Sequence, residues 1–286
     1  MLRRAWLCGW MVVALGAVAP LPMLRADEAA ERLKLLQTFH EEFITVTPGQ
    51  GPFPETFTFG TPNGPFTELP ARKVTLSTPF ALARYEVPQN LWQAVMGANP
   101  SKWKGPRNSA EMFSWLEAVD FCRKTTTLLR EAKLLAEDEE IRLPTEIEWE
   151  YCCRAGTSTP YSFGESATAP GDTGNKASLL DVYGWHTGNA AGNDPPVGAK
   201  KPNAWGFYDM HGYLREFTAD EWLENHAPNT LPATTTPRRR TLRGGSWKDR
   251  YECLRSAYRE PISEAVGDDA VGLRCVRAKV RPPEAK

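Results

Sequence analysis

The second half of the sequence contains no long segment with the apolar periodicity of a helix. After Gly156 the chain is rich in Gly, Pro, Asn and Asp, and it carries only short runs that are typical of strands. A stretch of this length is too long for one loop inside a domain. Disordered polar segments seldom contain tryptophan, yet this stretch has Trp185, Trp205, Trp222 and Trp247. The sequence therefore predicts a folded region with little regular secondary structure, stabilised by disulfides, bound ions or aromatic packing.

The helices are predicted in the first half. Four segments have apolar residues at the spacing of a helix face, namely residues 27–42, 88–96, 114–136 and a segment that begins at 145. The last two begin with capping boxes, Ser114 with Glu117 and Thr145 with Glu148. Short β-branched and aromatic runs between the helices are typical of strands. The pattern predicts a single α+β domain.

The first 26 residues have the order of a secretory signal. Arg3 and Arg4 precede an apolar run over residues 5–18, and small, turn-prone residues lead to Ala26. The run is shorter than the roughly 20 residues that cross a bilayer. We expect export to the periplasm or the exterior after cleavage behind Ala26, with an uncleaved anchor as the alternative. The expected layout is a signal peptide over 1–26, a helix over 27–42 and the domain over 43–280.

The charge of the chain gives no sign of a nucleic-acid surface. Its 34 basic residues are balanced by 35 acidic ones, and the one basic run, Arg238–Arg240, lies in a segment rich in Pro and Thr. Nucleic-acid binding requires a clustered basic excess, so we expect no nucleic-acid partner. No P-loop, G-x-S-x-G elbow or dinucleotide fingerprint occurs. We expect a monomer without a membrane span after signal cleavage.

Five cysteines lie beyond the predicted signal. They are Cys122, Cys152, Cys153, Cys253 and Cys275. In an exported protein this number predicts one or two disulfides and leaves at least one thiol over. A zinc site is not expected, because there is no C-x-x-C pair and the four histidines are scattered.

Eight short motifs follow one another along residues 43–278. They are Tyr85-Glu-Val-Pro88 with Trp92, Asn99-Pro-Ser101, Ser114-Trp-Leu-Glu-Ala-Val-Asp-Phe-Cys122, Arg142-Leu-Pro-Thr-Glu-Ile-Glu-Trp-Glu-Tyr151, Pro196-Val-Gly198, Asn203-Ala-Trp-Gly-Phe-Tyr-Asp-Met-His-Gly212, Leu242-Arg-Gly-Gly-Ser-Trp247 and Gly272-Leu-Arg-Cys275. As an ordered set they resemble the formylglycine-generating-enzyme, or sulfatase-modifying-factor, family. The resemblance implies a variant C-type-lectin-like fold, α+β, in one domain with little regular secondary structure.

The resemblance also implies a calcium site at four positions, which fall on Asp209, Gly212, Leu214 and Glu216. Calcium takes six to eight hard oxygen ligands in a flexible loop. Two carboxylates and two backbone carbonyls suit that requirement. The alternative is that the two acidic residues are merely exposed loop acids.

The same resemblance predicts two disulfide bonds. Cys122 and Cys275 occupy positions that are bridged in characterised members of the family. A second bridge of the family uses the position of Cys153, and its partner position falls on Ser256. We expect Cys253 to replace that partner, with Cys152 as the alternative.

The oxidase of the family carries R-G-G-S-x-x-C-x-x-x-x-C, in which two cysteines bind copper. In this chain Arg243-Gly-Gly-Ser246 is followed by Asp249 at the first cysteine position, and only Cys253 lies near the second. Cu(I) is a soft ion that prefers thiolates to carboxylates, so we expect no copper site. Ser246 and Cys253 are the remaining candidates for a catalytic role.

Three functions are therefore compared. The first is an exported binding or accessory module without copper-dependent oxidase activity. Its pocket would be lined by Trp185, Trp205, Trp222 or Trp247 and would take a peptide, a glycan or a small molecule. The second is an oxidoreductase that converts a sulfatase or other protein cysteine to formylglycine with oxygen. The third is a structural or regulatory domain. A fold alone does not decide between them.

Overall fold

The computed structural model of the 286-residue chain describes residues 26–227, 230, 234 and 236–280. Its helices are α1 Ala26–Glu41, α2 Gln89–Met96, α3 Trp115–Glu131 and α4 Glu146–Arg154. Its strands are β1 Phe43–Val46, β2 Thr56–Phe59, β3 Arg72–Thr75, β4 Phe80–Ala83, β5 Glu139–Arg142, β6 Arg215–Glu221, β7 Arg239–Arg243, β8 Arg259–Ser263, β9 Val271–Gly272 and β10 Val276–Lys279. The predicted signal peptide lies outside the described residues except for Ala26.

The predicted helix starts are confirmed. Ser114 caps α3 and Thr145 caps α4, and both capping boxes are complete. The predicted end of α3 is wrong, because the helix stops at Glu131 instead of continuing to residue 136. Lys133 adopts a φ of 58°, and a left-handed residue cannot continue a right-handed helix.

The strands form two four-stranded sheets and a two-stranded ribbon. The first sheet has the order β1-β4-β10-β5 and is antiparallel, so strands from both ends of the domain meet in it. The second has the order β8-β7-β6-β9, with β6 and β9 parallel. The ribbon is β2-β3. Among the described residues no α-helix follows α4, as the sequence predicts. In that part of the chain no helix is both long and apolar enough to cross a membrane.

Two aromatic cores hold these layers together. Between α2 and α3, Trp92 stacks on Phe113 and Phe121 at centroid distances of 3.9 Å and 5.1 Å. Around α4, Tyr151 packs against Trp205 at 4.8 Å. Buried aromatic residues remove 150–250 Å² of surface each from water. They supply much of the stability that regular secondary structure would otherwise provide.

The helix α4 is buried although it carries charged residues. Three guanidinium groups alternate with two carboxylates in the order Arg154, Glu150, Arg243, Glu146 and Arg259, and all five side chains are buried. We call these five residues the ion chain. Each carboxylate lies between two guanidinium groups, as buried charges require. The ion chain fixes α4 to β7 and β8.

Candidate functional site

The turn after β7 contains the Gly-Gly-Ser motif. Gly244 and Gly245 have φ values of 93° and 67°, which side chains other than glycine rarely adopt. A Cβ on Gly245 would lie 2.7 Å from the carbonyl oxygen of Cys253. Ser246 is fully buried, and its backbone N–H and hydroxyl both donate to Asp249 Oδ2, at 2.8 Å and 2.7 Å. The hydroxyl of Ser246 is therefore used to close the turn.

The other carboxylate oxygen of Asp249 accepts from Arg215. The distance from Arg215 Nη2 to Asp249 Oδ1 is 2.6 Å, and Arg215 also pairs with Glu260. The Arg215 and Asp249 side chains are 19% and 14% exposed, so solvent screens the pair only in part. An ion pair thus stands where the resemblance places the first copper cysteine.

Cys253 lies in a short 3₁₀ turn, Tyr251–Leu254, that follows Asp249 in the sequence, and it is half-buried. Burial raises the pKa of its thiol, and the neighbouring Tyr258 hydroxyl opposes this effect only in part. A raised pKa keeps the sulfur protonated, whereas nucleophiles and metal ligands require the thiolate.

An aromatic pocket of about 280 Å³ opens beside the Gly-Gly-Ser turn. Its walls include Trp103, Trp185, Trp247 and Tyr213. The backbone N–H of Trp247 donates to the carbonyl of Tyr213 at 3.0 Å, which joins the turn to the pocket wall. Tyr213 has a φ of 135°, a conformation that side chains rarely adopt and that often marks functional sites. We call this cavity the tryptophan pocket.

The expectation for the four tryptophans is half right. Trp185 and Trp247 line the tryptophan pocket, but Trp205 and Trp222 are core residues, 8% and 3% exposed. Sequence reasoning missed Trp103, which comes from the first half of the chain and is 45% exposed. Tryptophan is common both in cores and at binding surfaces, so composition does not separate the two.

A lysine accompanies each tryptophan of the pocket. The ammonium groups of Lys102, Lys200 and Lys248 lie 4.8, 3.9 and 5.2 Å from the rings of Trp103, Trp185 and Trp247. Cations at these distances interact with the electron-rich face of the ring. Asp269 pairs with Lys102 and Lys248 and so balances part of this charge. Asp268 also pairs with Lys248, and Asp194 lines the pocket. The pocket therefore has an aromatic interior and a rim with charges of both signs.

Glu111 holds the backbone of the segment that carries Lys102 and Trp103. Its Oε1 accepts from the backbone N–H groups of Lys102 and Trp103, at 2.6 Å and 3.1 Å. Its Oε2 is buried and has no hydrogen-bond partner among the described residues. Burial raises the pKa of Glu111 to about 7.

The predicted calcium residues lie in the loop that leads into β6, except for Glu216, which is the second residue of that strand. Asp209 and Glu216 are 2% and 0% exposed, so the interpretation of exposed loop acids is wrong. Asp209 has a φ of 59°, and its Oδ2 accepts from the N–H of Gly198 at 2.7 Å. Its Oδ1 is buried without a partner among the described residues. Burial raises the pKa of Asp209 to about 6.

Glu216 accepts hydrogen bonds from two side chains, the Arg274 guanidinium and the Trp149 indole. Both of its oxygens accept from Arg274, and Oε2 also accepts from Trp149 Nε1 at 2.8 Å. A third buried carboxylate, Glu86, accepts from the N–H of Leu214 at 3.1 Å and leaves Oε2 unpaired. Burial raises the pKa of Glu86, and the nearby charges of Glu216 and Asp209 raise it further. Sequence reasoning missed Glu86, although an acid next to a buried strand end was a visible signal.

These residues fit a calcium ion in part. Three buried carboxyl groups face one guanidinium group, which is too little positive charge to keep all three ionised, and Asp209 and Glu86 each have an unused oxygen. The carbonyls of Gly212 and Leu214 are hard oxygen ligands that calcium accepts. Within the described ranges, no three His, Cys, Asp or Glu side chains converge closely enough to hold a metal by themselves.

Of the two predicted disulfides, the structure brings the sulfurs of Cys122 and Cys275 near each other. The sulfurs of Cys122 and Cys275 are 3.9 Å apart and buried, farther than the roughly 2.05 Å of a formed bond. Cys153 lies beside Ser256, the position at which the family bridge would end. Both pairings, including that of Cys153 with Cys253, stay predictions.

Comparison with known proteins gives consistent matches. The family model described as sulfatase-modifying factor enzyme 1-like domain matches residues 35–279. The chaperone protein LppX of Paenibacillus barcinonensis is 28% identical over 241 residues, which cover 73% of this chain and 83% of LppX. The formylglycine-generating enzyme of Mycobacterium tuberculosis is 32% identical over 154 residues, 47% of this chain and 50% of the enzyme. The match therefore spans about half of that enzyme.

One solved structure shows how far the fold agrees. The structure of PvdO from Pseudomonas aeruginosa superposes with a TM-score of 0.67 at 24% identity, over 82% of this chain and 94% of PvdO. At this identity the likeness concerns the fold, which is the mixed helix and sheet domain expected from the motifs.

Proposed function

Because the chain belongs to the sulfatase-modifying-factor family, we propose that it is an exported binding or accessory module that lacks the copper-dependent oxidation of a cysteine. The observation that carries the proposal is the ion pair between Arg215 and Asp249 at the copper position. Its ligand binds in the tryptophan pocket beside that pair.

The residues at the copper position do not fit the metal. Cu(I) is held by soft sulfur ligands, whereas the Asp249 carboxylate is hard and is already paired. The adjacent guanidinium of Arg215 repels a cation. Cys253 is a single thiol whose pKa burial raises. The alternative, oxidation of a protein cysteine to formylglycine, would have to depend on Cys253 alone.

The tryptophan pocket supports a binding role. Pockets for small ligands are concave and mostly apolar, with a few polar groups that set orientation. Here the indole Nε1 of Trp185 is buried and has no partner within the described ranges, so a ligand acceptor can use it. The aromatic walls favour a ligand with an apolar face, and the paired lysines and aspartates at the rim favour one that also carries polar groups. The name of the similar protein LppX, a chaperone protein, is consistent with an accessory role.

Calcium binding is part of the proposal. Asp209 Oδ1, the carbonyls of Gly212 and Leu214 and the Glu216 carboxylate would hold the ion. The raised pKa of Glu86 keeps that carboxyl neutral unless a cation is bound beside it. The ion is structural and stabilises the loop that ends at Tyr213 in the pocket wall. Export rests on the signal-like residues 1–26 and gives a mature chain that begins at Asp27.

An array of glycans and peptides, probed with the mature protein, tests the binding role. Trp103→Ala removes an exposed ring from the pocket wall, and Phe66→Ala removes an exposed ring elsewhere, 64% exposed, as the matched control. Aromatic contacts of this kind contribute about 1–3 kcal/mol. We expect ligands that bind wild type and Phe66→Ala equally and lose at least fivefold in affinity for Trp103→Ala. Equal binding to all three proteins would place the ligand site outside the tryptophan pocket.

A further inference from the structure

A second cavity, of about 320 Å³, lies where the ribbon β2-β3 meets α4 and the segment after β6. Its lining includes Phe59, Arg72, Asp220, Leu223 and His226. It shares no lining residue with the tryptophan pocket or with the predicted calcium residues. Glu146 and Ile147, from the motif over 142–151, also line it.

His226 is the unexplained residue of this cavity. It is 8% exposed and stacks on Phe59 at a centroid distance of 4.2 Å. Neither ring nitrogen has a hydrogen-bond partner among the described residues. Burial, with smaller contributions from the positive charges of Arg259, Arg243 and Arg72, lowers the pKa of His226 to about 3. The ring is therefore neutral, with one buried N–H donor that has nothing to donate to. Buried donors are nearly always paired, so the cavity calls for an acceptor.

The charge behind the cavity has the sign that suits an anion. The ion chain has three guanidinium groups and two carboxylates, which leaves one positive charge in a buried cluster. Its last member, Arg259, forms part of the cavity wall. Asp220 is the one lining carboxylate outside the ion chain, and burial raises its pKa to about 6, so it is mostly ionised at neutral pH. The positive charges of the ion chain and of Arg72 together still exceed its charge by one.

Arg72 supplies a guanidinium group at the edge of the same cavity. It is exposed, lies 5.4 Å from the ring centroid of Phe59, and forms no ion pair in the described part of the chain. Arg259, by contrast, is saturated, since it binds both oxygens of Glu146 and the carbonyls of Thr67 and Leu223. Arg72 is thus the guanidinium that can receive a ligand, and guanidinium groups bind carboxylates and phosphates with two parallel hydrogen bonds.

We propose that this cavity binds the oxyanion group of a small molecule, a carboxylate or a phosphate, between the Arg72 guanidinium and the imidazole N–H of His226. Apolar atoms of the ligand contact Leu223 and Ile147 in the remaining lining. Phosphate esters and organic acids share this chemistry, and the cavity volume admits a small molecule of either kind.

Histidine NMR of the mature protein tests the proposal, because the chain has only four histidines. The His226 imidazole signal is assigned by its loss in His226→Phe. Sodium phosphate and sodium acetate are each titrated at constant ionic strength against sodium chloride. We expect a saturable shift of the His226 signal with at least one oxyanion and none with chloride, while the signals of His40, His186 and His211 stay in place. Saturation by phosphate alone assigns phosphate esters, and saturation by acetate alone assigns carboxylates.

Two variants make the outcome decisive. We expect Arg72→Gln to lower the affinity for the oxyanion at least fivefold. Arg123→Gln, which changes an exposed arginine on α3, should leave that affinity unchanged. The three unshifted histidine signals show that each variant is folded. Absence of a saturable shift with both oxyanions, equal affinity in Arg72→Gln, or a shift produced by Zn²⁺ instead would overturn the proposal.

Discussion

Asp249 determines what the turn after β7 can bind. Its carboxylate accepts from both polar groups of Ser246 and from Arg215, so both of its oxygens are engaged by donors of this chain. A cysteine at this position would leave Arg215 paired with Glu260 alone and would remove the acceptor of the Ser246 hydroxyl. One side chain therefore separates a metal-binding turn from an ion-paired one, although the Gly-Gly-Ser backbone is the same.

Glu111 gives the stability of the protein a dependence on pH. Its folded-state pKa is raised to about 7, so this group favours the folded state most strongly below its ordinary pKa, about 4.3. That contribution is lost as the pH rises through about 7, because the buried carboxyl must then ionise. Glu111→Gln keeps an oxygen for the two backbone donors and cannot ionise.

We therefore expect Glu111→Gln to become more stable relative to wild type as the pH rises from 5 to 8. Urea unfolding at several pH values measures the difference. Glu137→Gln, an exposed side chain, is the control and should show a difference that does not change with pH. A difference for Glu111→Gln that is constant across this range would contradict the raised pKa.

At the scale of elements, local signals predict the helices and long-range contacts complete the site. The capping boxes of α3 and α4 depend on residues three positions apart, so the sequence reveals them directly. Glu86 and Leu214, in contrast, are 128 positions apart, and Arg243 and Glu150 are 93 apart. No periodic pattern reports such pairs, which is why the sequence predicted neither the place of Glu86 in the site nor the ion chain. The expected calcium residues came from the resemblance to the family and stay a prediction.

The ion chain fixes α4 in place, and its loss should be costly. Glu150→Gln removes the carboxylate between Arg154 and Arg243 and leaves a buried guanidinium group uncompensated. Breaking a buried pair in this way costs about 3–5 kcal/mol. We expect a drop of this size in the free energy of unfolding measured with urea. A loss no larger than that of the exposed control Glu137→Gln would mean that the ion chain does not stabilise α4.

The loop before β6 should respond to calcium. An ion that binds only the folded state stabilises it by mass action, about 2.7 kcal/mol at 100 Kd, or roughly 5–10 °C in Tm for a domain of this size. We expect a chelator to lower the Tm of wild type and of Glu165→Ala, an exposed loop acid, by this amount. Asp209→Ala and Glu216→Ala should show little response. The same chelator effect in those two variants would exclude this loop as the calcium site.

At the scale of the whole molecule, the α+β fold, in which no α-helix follows α4 among the described residues, was predictable because order-preserving motifs cover nearly the whole domain. The tryptophan pocket was predictable only in part. Trp103 and Trp247 come from opposite halves of the chain and meet at one opening, while Trp205 and Trp222 fill the core. Which tryptophans are buried depends on packing between segments, which a single sequence does not report.

The most direct test of this view is an anaerobic titration of the mature protein with Cu(I), followed by measurement of oxygen uptake with a Cys-x-Pro-x-Arg peptide. Because Asp249 is ion-paired and Cys253 is a lone thiol of raised pKa, wild type and Cys253→Ser should bind Cu(I) equally and neither should oxidise the peptide. One equivalent of Cu(I) that is lost in Cys253→Ser, together with peptide-dependent oxygen uptake, would contradict the assignment as a non-oxidase binding module.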